Sequence, residues 1–306
     1  MADLSVNLLG VTLKNPLIAA SGTFGYGREY QELYDIGVWG GVSVKGTTLQ
    51  PRDGNPMPRI AETPAGMLNA IGLQNPGVEA FIHEEIPFLR SKGTAIIANV
   101  AGATLEDYIG IAERLSEEDV DLLELNISCP NVKRGGATFG VTPEGAAEVT
   151  KAVKEASGHP VMVKLSPNVT DIAEIARAVE AAGADAISLI NTLLGMRINI
   201  HTRRPILKNN VGGLSGPAVF PVAVRMVWQV ARAVSVPVVG MGGIASAEDA
   251  IEMMLAGATA VQIGAALFSD PLLPFSVLEG MQRYCDEQGI DSIGEITGQV
   301  RPWNQE

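Results

Sequence analysis

The sequence predicts an α/β fold, a (β/α)8 TIM barrel with a small N-terminal β-hairpin, with residues 1–306 forming one domain. Short apolar runs alternate with longer segments of helical period, which is the pattern of repeated βα units. The runs are apolar throughout, as expected for strands covered on both faces. The eight predicted strands are 17–21, 41–45, 95–99, 122–127, 161–165, 186–191, 236–240 and 260–264.

The segments between these runs carry signals for helix starts. Two pairs have the spacing of a capping box, with aspartate in the place of glutamate: Thr104 with Asp107, and Ser246 with Asp249. Ahead of the first barrel strand, the segment LSVNLLGVTLKNP turns at Gly10 and predicts the hairpin.

Composition excludes several functional classes. The net charge of −12 argues against nucleic acid or an anionic membrane as a partner. The two cysteines, Cys129 and Cys285, make neither a disulfide framework nor a metal cluster, which fits a reducing cytoplasm. The N-terminus has no basic segment followed by a long apolar run, and no stretch approaches the length of a membrane span. We therefore predict a cytoplasmic protein.

Polar residues or glycines stand where each apolar run stops. In a barrel of this type, chemistry takes place at the carboxyl ends of the strands. One or two such residues would be ordinary strand ends, whereas a full set at one face indicates a binding site. In strand order they are Ser21, Lys45, Asn99, Asn126, Lys164, Asn191 with Thr192, Gly242 with Gly243, and Gly264.

The glycines after the last two strands indicate a phosphate site. The motifs GMGGI (240–244) and IGAA (263–266) follow strands seven and eight, where such barrels usually bind phosphate. The motif GGLSG (212–216) is a third candidate element. Tight turns explain any one glycine pair equally well, but the position favours a phosphorylated cofactor or substrate.

Lysine and asparagine side chains dominate the other candidates. Lys45 and Lys164 end otherwise apolar runs, and could form a Schiff base, contact an anion, or stabilise negative charge on a cofactor ring. The amides suit a planar, amide-rich ligand better than acid–base chemistry: Asn69, Asn99, Asn126, Asn131 and Asn191.

Cys129 is the best-placed proton carrier. The three histidines fall in a helix, at the opposite end of the barrel and in a long loop, and no metal-ligand cluster is visible. Cys129 follows the fourth strand, at the start of a glycine-rich loop. Lys133 and Arg134 of that loop could favour its thiolate. A cysteine at a strand end can also be a small buried apolar residue, and loop charges are more often simply solvated.

The chain resembles a class 1 dihydroorotate dehydrogenase, most closely the catalytic subunit of the NAD-linked class 1B. The matching segments run in order along nearly the whole chain: SGTFGYG (21–27), SVKGTT (43–48), NAIGLQNPG (69–77), ELNISCPNVKRGG (124–136), VKLSPN (163–168), INT (190–192), GGLSGPA (212–218) and GMGGI. Class 2 enzymes are disfavoured, because they use a serine base and an N-terminal membrane segment.

The resemblance implies FMN at the barrel mouth and oxidation of (S)-dihydroorotate to orotate in pyrimidine (UMP) biosynthesis. Cys129 would be the catalytic base, taking the proton from C5 while hydride passes from C6 to the flavin. Lys164 would stabilise negative charge on the reduced ring. Ala265 departs from the threonine common there, so one phosphate contact is in doubt.

The implied ligand contacts fall into two sets. The substrate set is Lys45, Asn69, Ala70, Ile71, Gly72, Leu73, Asn126, Asn131, Asn191 and Thr192. The FMN set is Ser21, Lys45, Gly46, Asn99, Asn126, Lys164, Ile190, Gly216, Gly242, Gly243, Gly264 and Ala265.

The sequence lacks its own means of reaching NAD. No strand–GxGxxG–helix unit and no set of four cysteines is present. The resemblance therefore implies a partner subunit carrying FAD and a [2Fe–2S] cluster, in a heterotetramer of two plus two chains. Two alternatives stay open: a fumarate-linked class 1A enzyme, and a Schiff-base lyase on a phosphate-binding barrel.

Overall fold

The computed structural model describes residues 1–128 and 139–303. In chain order its strands are β1 (Val6–Leu8), β2 (Val11–Leu13), β3 (Leu17–Ala19), β4 (Gly41–Ser43), β5 (Ile60–Thr63), β6 (Gly66–Asn69), β7 (Ala95–Val100), β8 (Leu122–Asn126), β9 (Val161–Lys164), β10 (Ala186–Leu189), β11 (Leu193–Gly195), β12 (Ile198–Asn199), β13 (Arg204–Pro205), β14 (Gly212–Ser215), β15 (Val238–Met241) and β16 (Ala260–Ile263).

Helices alternate with the barrel strands. The α-helices of the described residues are α1 (Arg28–Gln31), α2 (Val78–Ala80), α3 (Ile86–Arg90), α4 (Leu105–Leu115), α5 (Pro143–Ala156), α6 (Ile172–Ala181), α7 (Phe220–Ala231), α8 (Ala247–Leu255) and α9 (Leu273–Gln288). Short 3₁₀ turns occupy Ile36–Val38, Pro217–Val219, Ala265–Phe268 and Ile293–Ile296, and a π-helical turn occupies Phe81–Glu85. Each of these helices is too short or too polar to cross a membrane.

The predicted barrel is confirmed. Eight parallel strands close on themselves in the order β3-β4-β7-β8-β9-β10-β15-β16. All eight predicted runs contain a barrel strand, although the seventh begins at Val238 rather than at residue 236. Pro237 explains the later start, because proline has no N–H to donate to the ladder.

The barrel core and its helices follow the predicted patterns. Every residue of β8, β9, β10 and β16 is buried. Helix α4 buries Tyr108, Ile111, Ala112 and Leu115, which lie on one face because they are three or four positions apart. The core is therefore a continuous apolar layer between the strands and the surrounding helices.

The two predicted capping boxes have different outcomes. Thr104 and Asp107 form a complete capping box at the start of α4. At the start of α8, Ser246 accepts a hydrogen bond from the Asp249 N–H, but the Asp249 carboxylate accepts from the Ala245 N–H instead of closing the box. The second prediction is thus half right, because the carboxylate reaches one residue further back along the chain.

The N-terminal hairpin is also confirmed. Strands β1 and β2 pair antiparallel around Leu9 and Gly10, which both have positive φ angles (57° and 85°). Positive φ at both turn residues is the geometry of a tight hairpin turn with the correct twist.

A four-stranded antiparallel sheet, which the sequence did not reveal, stands over the barrel. Its order is β11-β14-β6-β5. Residues 212–215 of the GGLSG motif form β14 and not a loop, and the motif's role as a third phosphate-binding element stays a prediction. Backbone pairing explains the change, since Gly213 pairs with Asn69 of β6 and with Leu194 of β11. We call this sheet the mouth sheet.

Candidate active site

A cavity of about 370 Å³ lies where the barrel strands meet the mouth sheet. This volume is in the range of small-molecule sites. Most of the predicted site residues line it: Ser21, Lys45, Gly46, Asn69, Ile71, Gly72, Leu73, Asn126, Lys164, Ile190, Asn191, Thr192, Gly216, Gly242, Gly243, Gly264 and Ala265. Ala70 and Asn99 are fully buried and do not line it. Cys129 and Asn131 lie outside the described residues.

The side chain of Glu124, in strand β8, is a buried carboxylate beneath the cavity, with an exposed fraction of 0%. Its Oε2 accepts hydrogen bonds from Ser43 Oγ at 2.5 Å and Asn99 Nδ2 at 2.6 Å. Its Oε1 accepts from Ser188 Oγ at 2.8 Å and Gln262 Nε2 at 2.7 Å. These four donors come from four other barrel strands, so a single carboxylate joins β4, β7, β10 and β16 to β8.

The surroundings of Glu124 keep it ionised. Burial alone would raise its pKa, but the nearby Lys164 ammonium and the hydrogen bonds from Ser43, Ser188 and Gln262 outweigh this, so that the pKa lies below its ordinary value of 4.5. A charged carboxylate can only accept hydrogen bonds. Every group around it must therefore present a donor, which fixes the orientation of the neighbouring amides.

Lys164 ends strand β9 and is nearly completely buried, with 5% of its surface exposed. Its Nζ donates to Ser21 Oγ at 3.1 Å, and the same oxygen accepts from Asn99 Nδ2 at 3.3 Å. Both Lys164 and Ser21 line the cavity. The predicted cation thus lies on the cavity wall, between the first and fifth barrel strands and above the buried carboxylate.

A chain of amides forms the wall near the end of β8. Asn126 donates from Nδ2 to Asn99 Oδ1 at 3.2 Å and accepts at Oδ1 from Ser128 Oγ at 3.2 Å. Asn191 donates to Ser128 Oγ at 2.7 Å and accepts from the Thr192 N–H at 2.7 Å. Ser128, the residue before Cys129, is 2% exposed. The residue directly before Cys129 is therefore part of this wall.

The half-buried Lys45 follows strand β4, and its N–H donates to Gly25 O at 3.0 Å. Its Nζ lies beside the turn after β3, since a Cβ on Gly22 would be 3.8 Å from that atom. The two predicted lysines therefore line the same cavity at different depths, with Lys164 the more deeply buried.

The predicted substrate loop follows strand β6 from Asn69 to Leu73. The side chain of Asn55 donates to Ala70 O at 3.0 Å. The backbone N–H of Asn55 donates to Ile71 O at 2.8 Å. Asn75 Nδ2 donates to Leu73 O at 2.7 Å. Hydrogen bonds from neighbouring segments thus hold the loop backbone in place, which fixes where Ile71 and Leu73 meet the cavity.

The glycines at the end of strands β15 and β16 have different reasons to be glycine. Gly243 has a φ of +81°, and a Cβ there would lie 2.8 Å from Phe220 Cβ, so the fold itself requires glycine. Gly264 has φ −123° and ψ −98°, and a Cβ would meet nothing closer than Ala20 Cβ at 3.4 Å. The missing side chain at Gly264 leaves its backbone accessible from the cavity that it lines.

Sequence reasoning missed three members of the site. Glu124 and Gln262 bind each other under the cavity, and Ser128 links Asn126 to Asn191. The signal for the first two was present, because a charged or amide residue inside an otherwise apolar strand needs a buried partner. The partners themselves cannot be read from the sequence, since they belong to distant strands.

Comparisons with known proteins agree with this architecture. The family model described as dihydroorotate dehydrogenase matches residues 3–284. The chain is 60% identical over 298 residues to the dihydroorotate dehydrogenase B (NAD(+)) catalytic subunit of Alkaliphilus oremlandii, covering 97% of this chain and 99% of that protein. The chain belongs to the dihydroorotate dehydrogenase family.

Two further relatives extend the comparison. The subunit of the same name from Anoxybacillus flavithermus is 57% identical to this chain over 305 residues. The match covers 99% of this chain and 97% of that subunit. A crystal structure of DHODH in complex with ferulenol from Eimeria tenella superposes with a TM-score of 0.81 at 21% identity, covering 97% of this chain and 88% of that one. The latter likeness concerns the fold alone.

Replacing Glu124 with glutamine tests the buried charge. At pH 7 we expect the unfolding free energy to fall by roughly 3 kcal/mol, because Lys164 loses its nearby counter-charge. The folded pKa of Glu124 is lowered, so its stabilisation is present above the ordinary value of 4.5 and is lost as pH falls through the folded pKa. The difference in unfolding free energy between wild type and variant should therefore become smaller below about pH 4.5.

Urea unfolding from pH 7 down to the lowest pH at which both proteins fold measures this difference. The exposed Glu155, on helix α5, supplies the control, and its change to glutamine should have little effect at any pH. A wild-type unfolding free energy that rises relative to the variant as pH falls from 7 toward about 4.5 would show that Glu124 is protonated in the folded state, because the folded protein would then bind a proton that the unfolded chain has released.

Proposed function

We propose that this protein is the catalytic subunit of an NAD-linked class 1B dihydroorotate dehydrogenase, which oxidises (S)-dihydroorotate to orotate in pyrimidine biosynthesis. The observation that carries the proposal is the single cavity in which Lys45, Lys164 and three asparagine amides converge at the carboxyl ends of the barrel strands. The 60% and 57% identity to relatives of that name, over 97% and 99% of this chain, supports the proposal.

The residues at the ends of strands β9 and β16 fit FMN. Gly264 leaves its backbone open to a ligand, and the first N–H groups of the turn at Ala265–Phe268 have no partner within that turn, which suits a phosphate. Ala265 has no hydroxyl, so these backbone donors would replace the threonine contact. Lys164 would supply a positive charge to stabilise the negative charge of a reduced flavin ring. FMN, when bound, supplies the two-electron acceptor for the hydrogen that leaves C6 of the substrate.

The remaining polar residues of the cavity fit dihydroorotate. This substrate carries one carboxylate and a ring with both amide donors and acceptors. Lys45 would contact the carboxylate, and Asn69, Asn126 and Asn191 would read the ring amides, because neutral amides can donate and accept at once. The loop from residue 70 to residue 73, held from outside the cavity by Asn55 and Asn75, would close the remaining side of the substrate.

Cys129 would hold the proton that leaves C5. The support for this role is the position of Ser128, which lies in the wall of the site at 2.7 Å from the Asn191 amide. As a thiolate, Cys129 would take the C5 proton, while the C6 hydrogen leaves with its electron pair. The described residues lining the cavity include no histidine, aspartate or glutamate that could replace it.

A partner subunit completes the proposal. The curated relatives are named as catalytic subunits of an NAD(+) enzyme, which implies a separate chain. We propose that this chain carries FAD and a [2Fe–2S] cluster and joins in a heterotetramer of two plus two subunits. The described part of the present chain holds no group of three potential metal ligands. A cytoplasmic location stays a prediction from the cysteine content.

Anaerobic addition of dihydroorotate to the purified, FMN-loaded protein tests the reaction. We expect the visible flavin absorbance to bleach, and Cys129→Ala to slow that bleaching by roughly 10²–10⁴-fold while FMN stays bound, because positioned proton transfer contributes about this much. Cys285→Ala is the matched control, since Cys285 is buried in the core away from the cavity, and it should bleach at the wild-type rate. Near-normal bleaching in the Cys129 variant would contradict its role as the base.

Acceptor specificity tests the partner. The isolated chain should reduce an artificial dye with electrons from dihydroorotate but should not reduce NAD, because we assign the NAD-reactive centre to the partner. Co-expression with the partner subunit should restore NAD reduction. Strong NAD reduction by the isolated chain would refute the two-subunit proposal, and efficient turnover with fumarate would place the protein in class 1A.

A further inference from the structure

Gln262, in the last barrel strand, has a fixed amide orientation. Its side chain is 1% exposed, and one of its terminal atoms lies 2.7 Å from Glu124 Oε1. A carboxylate accepts hydrogen bonds and cannot donate them, so the atom facing Glu124 must be the amide nitrogen. The oxygen of Gln262 is therefore turned away from the carboxylate.

The oxygen of Gln262 is buried and unsatisfied. Among the described residues, no group donates a hydrogen bond to Gln262 Oε1. A buried acceptor without a donor is unfavourable, because it has lost its hydrogen bonds to water. Gln262 also lines the cavity. A ligand bound in that cavity against Gln262 could supply the missing donor.

We propose that Gln262 is a cofactor-binding residue of this site, whose side-chain oxygen accepts a hydrogen bond from an N–H or O–H donor of bound FMN. This inference rests on the proposed function, since it takes FMN as the ligand. FMN offers two kinds of donor, the ring N3–H and the hydroxyls of the ribityl chain. Glu124 is then a positioning residue, because it keeps the oxygen of Gln262, and not the nitrogen, available to the cavity.

A purely structural role for Gln262 makes a different prediction. If Gln262 only donates to Glu124, it is equivalent to Ser188, whose hydroxyl donates to the same Oε1 at 2.8 Å. Ser188 is fully buried and does not line the cavity. Ser188→Ala is therefore a matched control, because it removes one donor from the same carboxylate oxygen without changing the cavity wall.

The test is FMN affinity, measured by fluorescence titration of the FMN-free protein. Gln262→Leu should weaken FMN binding roughly tenfold, as expected when a buried donor loses its acceptor. Ser188→Ala should stay within about threefold of wild type, because it disturbs only the network beneath the cavity. If Gln262→Leu fails to fold, Gln262→Met fills a similar volume without an amide oxygen. Equal losses in the Gln262 and Ser188 variants would overturn the proposal.

Two flavin analogues identify the donor. One carries a methyl group on N3, and the other has a phosphopentyl chain without the ribityl hydroxyls. The difference between wild type and Gln262→Leu should disappear with the analogue that lacks the relevant donor. A difference that persists with both analogues would mean that Gln262 receives no hydrogen bond from the flavin. Failure of the wild-type protein to bind FMN would refute the proposed function itself, which keeps the two failures distinct.

Discussion

The buried carboxylate of Glu124 is the interaction on which the site depends. It lies inside an apolar barrel, where an ionised group is stable only if its surroundings supply donors and positive charge. Four donors from four other strands and the nearby Lys164 meet that requirement. Since each donor belongs to a different strand, the carboxylate also fixes how those strands stand relative to one another at the base of the cavity.

The hydrogen bonds around Glu124 extend to both sides of the cavity. Asn99 donates to Glu124 and to Ser21, and accepts from Asn126, so it transmits the orientation of the carboxylate to the cavity wall. From Asn126 the hydrogen bonds continue through Ser128 to Asn191, on the side proposed to bind the substrate. Lys164 and Gln262 lie on the side proposed to bind FMN. One connected set of polar residues therefore supports both the proposed substrate side and the proposed FMN side of the cavity.

The barrel and the cavity residues at its strand ends could be predicted from the sequence for a physical reason, whereas residues 70–73 were expected only from the family resemblance. Parallel strands bring their carboxyl ends to one face, so reading the strand ends in order collects residues such as Lys45 and Asn191 without knowledge of any contact. The Glu124–Gln262 bond joins residues 138 positions apart, and the mouth sheet pairs Gly213 with Asn69. Such pairings depend on the completed fold and leave no local pattern, which is why the sequence did not reveal them.

A double-mutant cycle on FMN affinity tests the central role of Glu124 most directly. If Glu124 orients the Gln262 oxygen, Glu124→Gln already frees that amide to turn over, so adding Gln262→Leu should cost little more. The two single changes and the double change would then be non-additive by more than about 0.5 kcal/mol. Additivity within about 0.3 kcal/mol would show that the carboxylate and the cavity wall act independently, and would contradict the account.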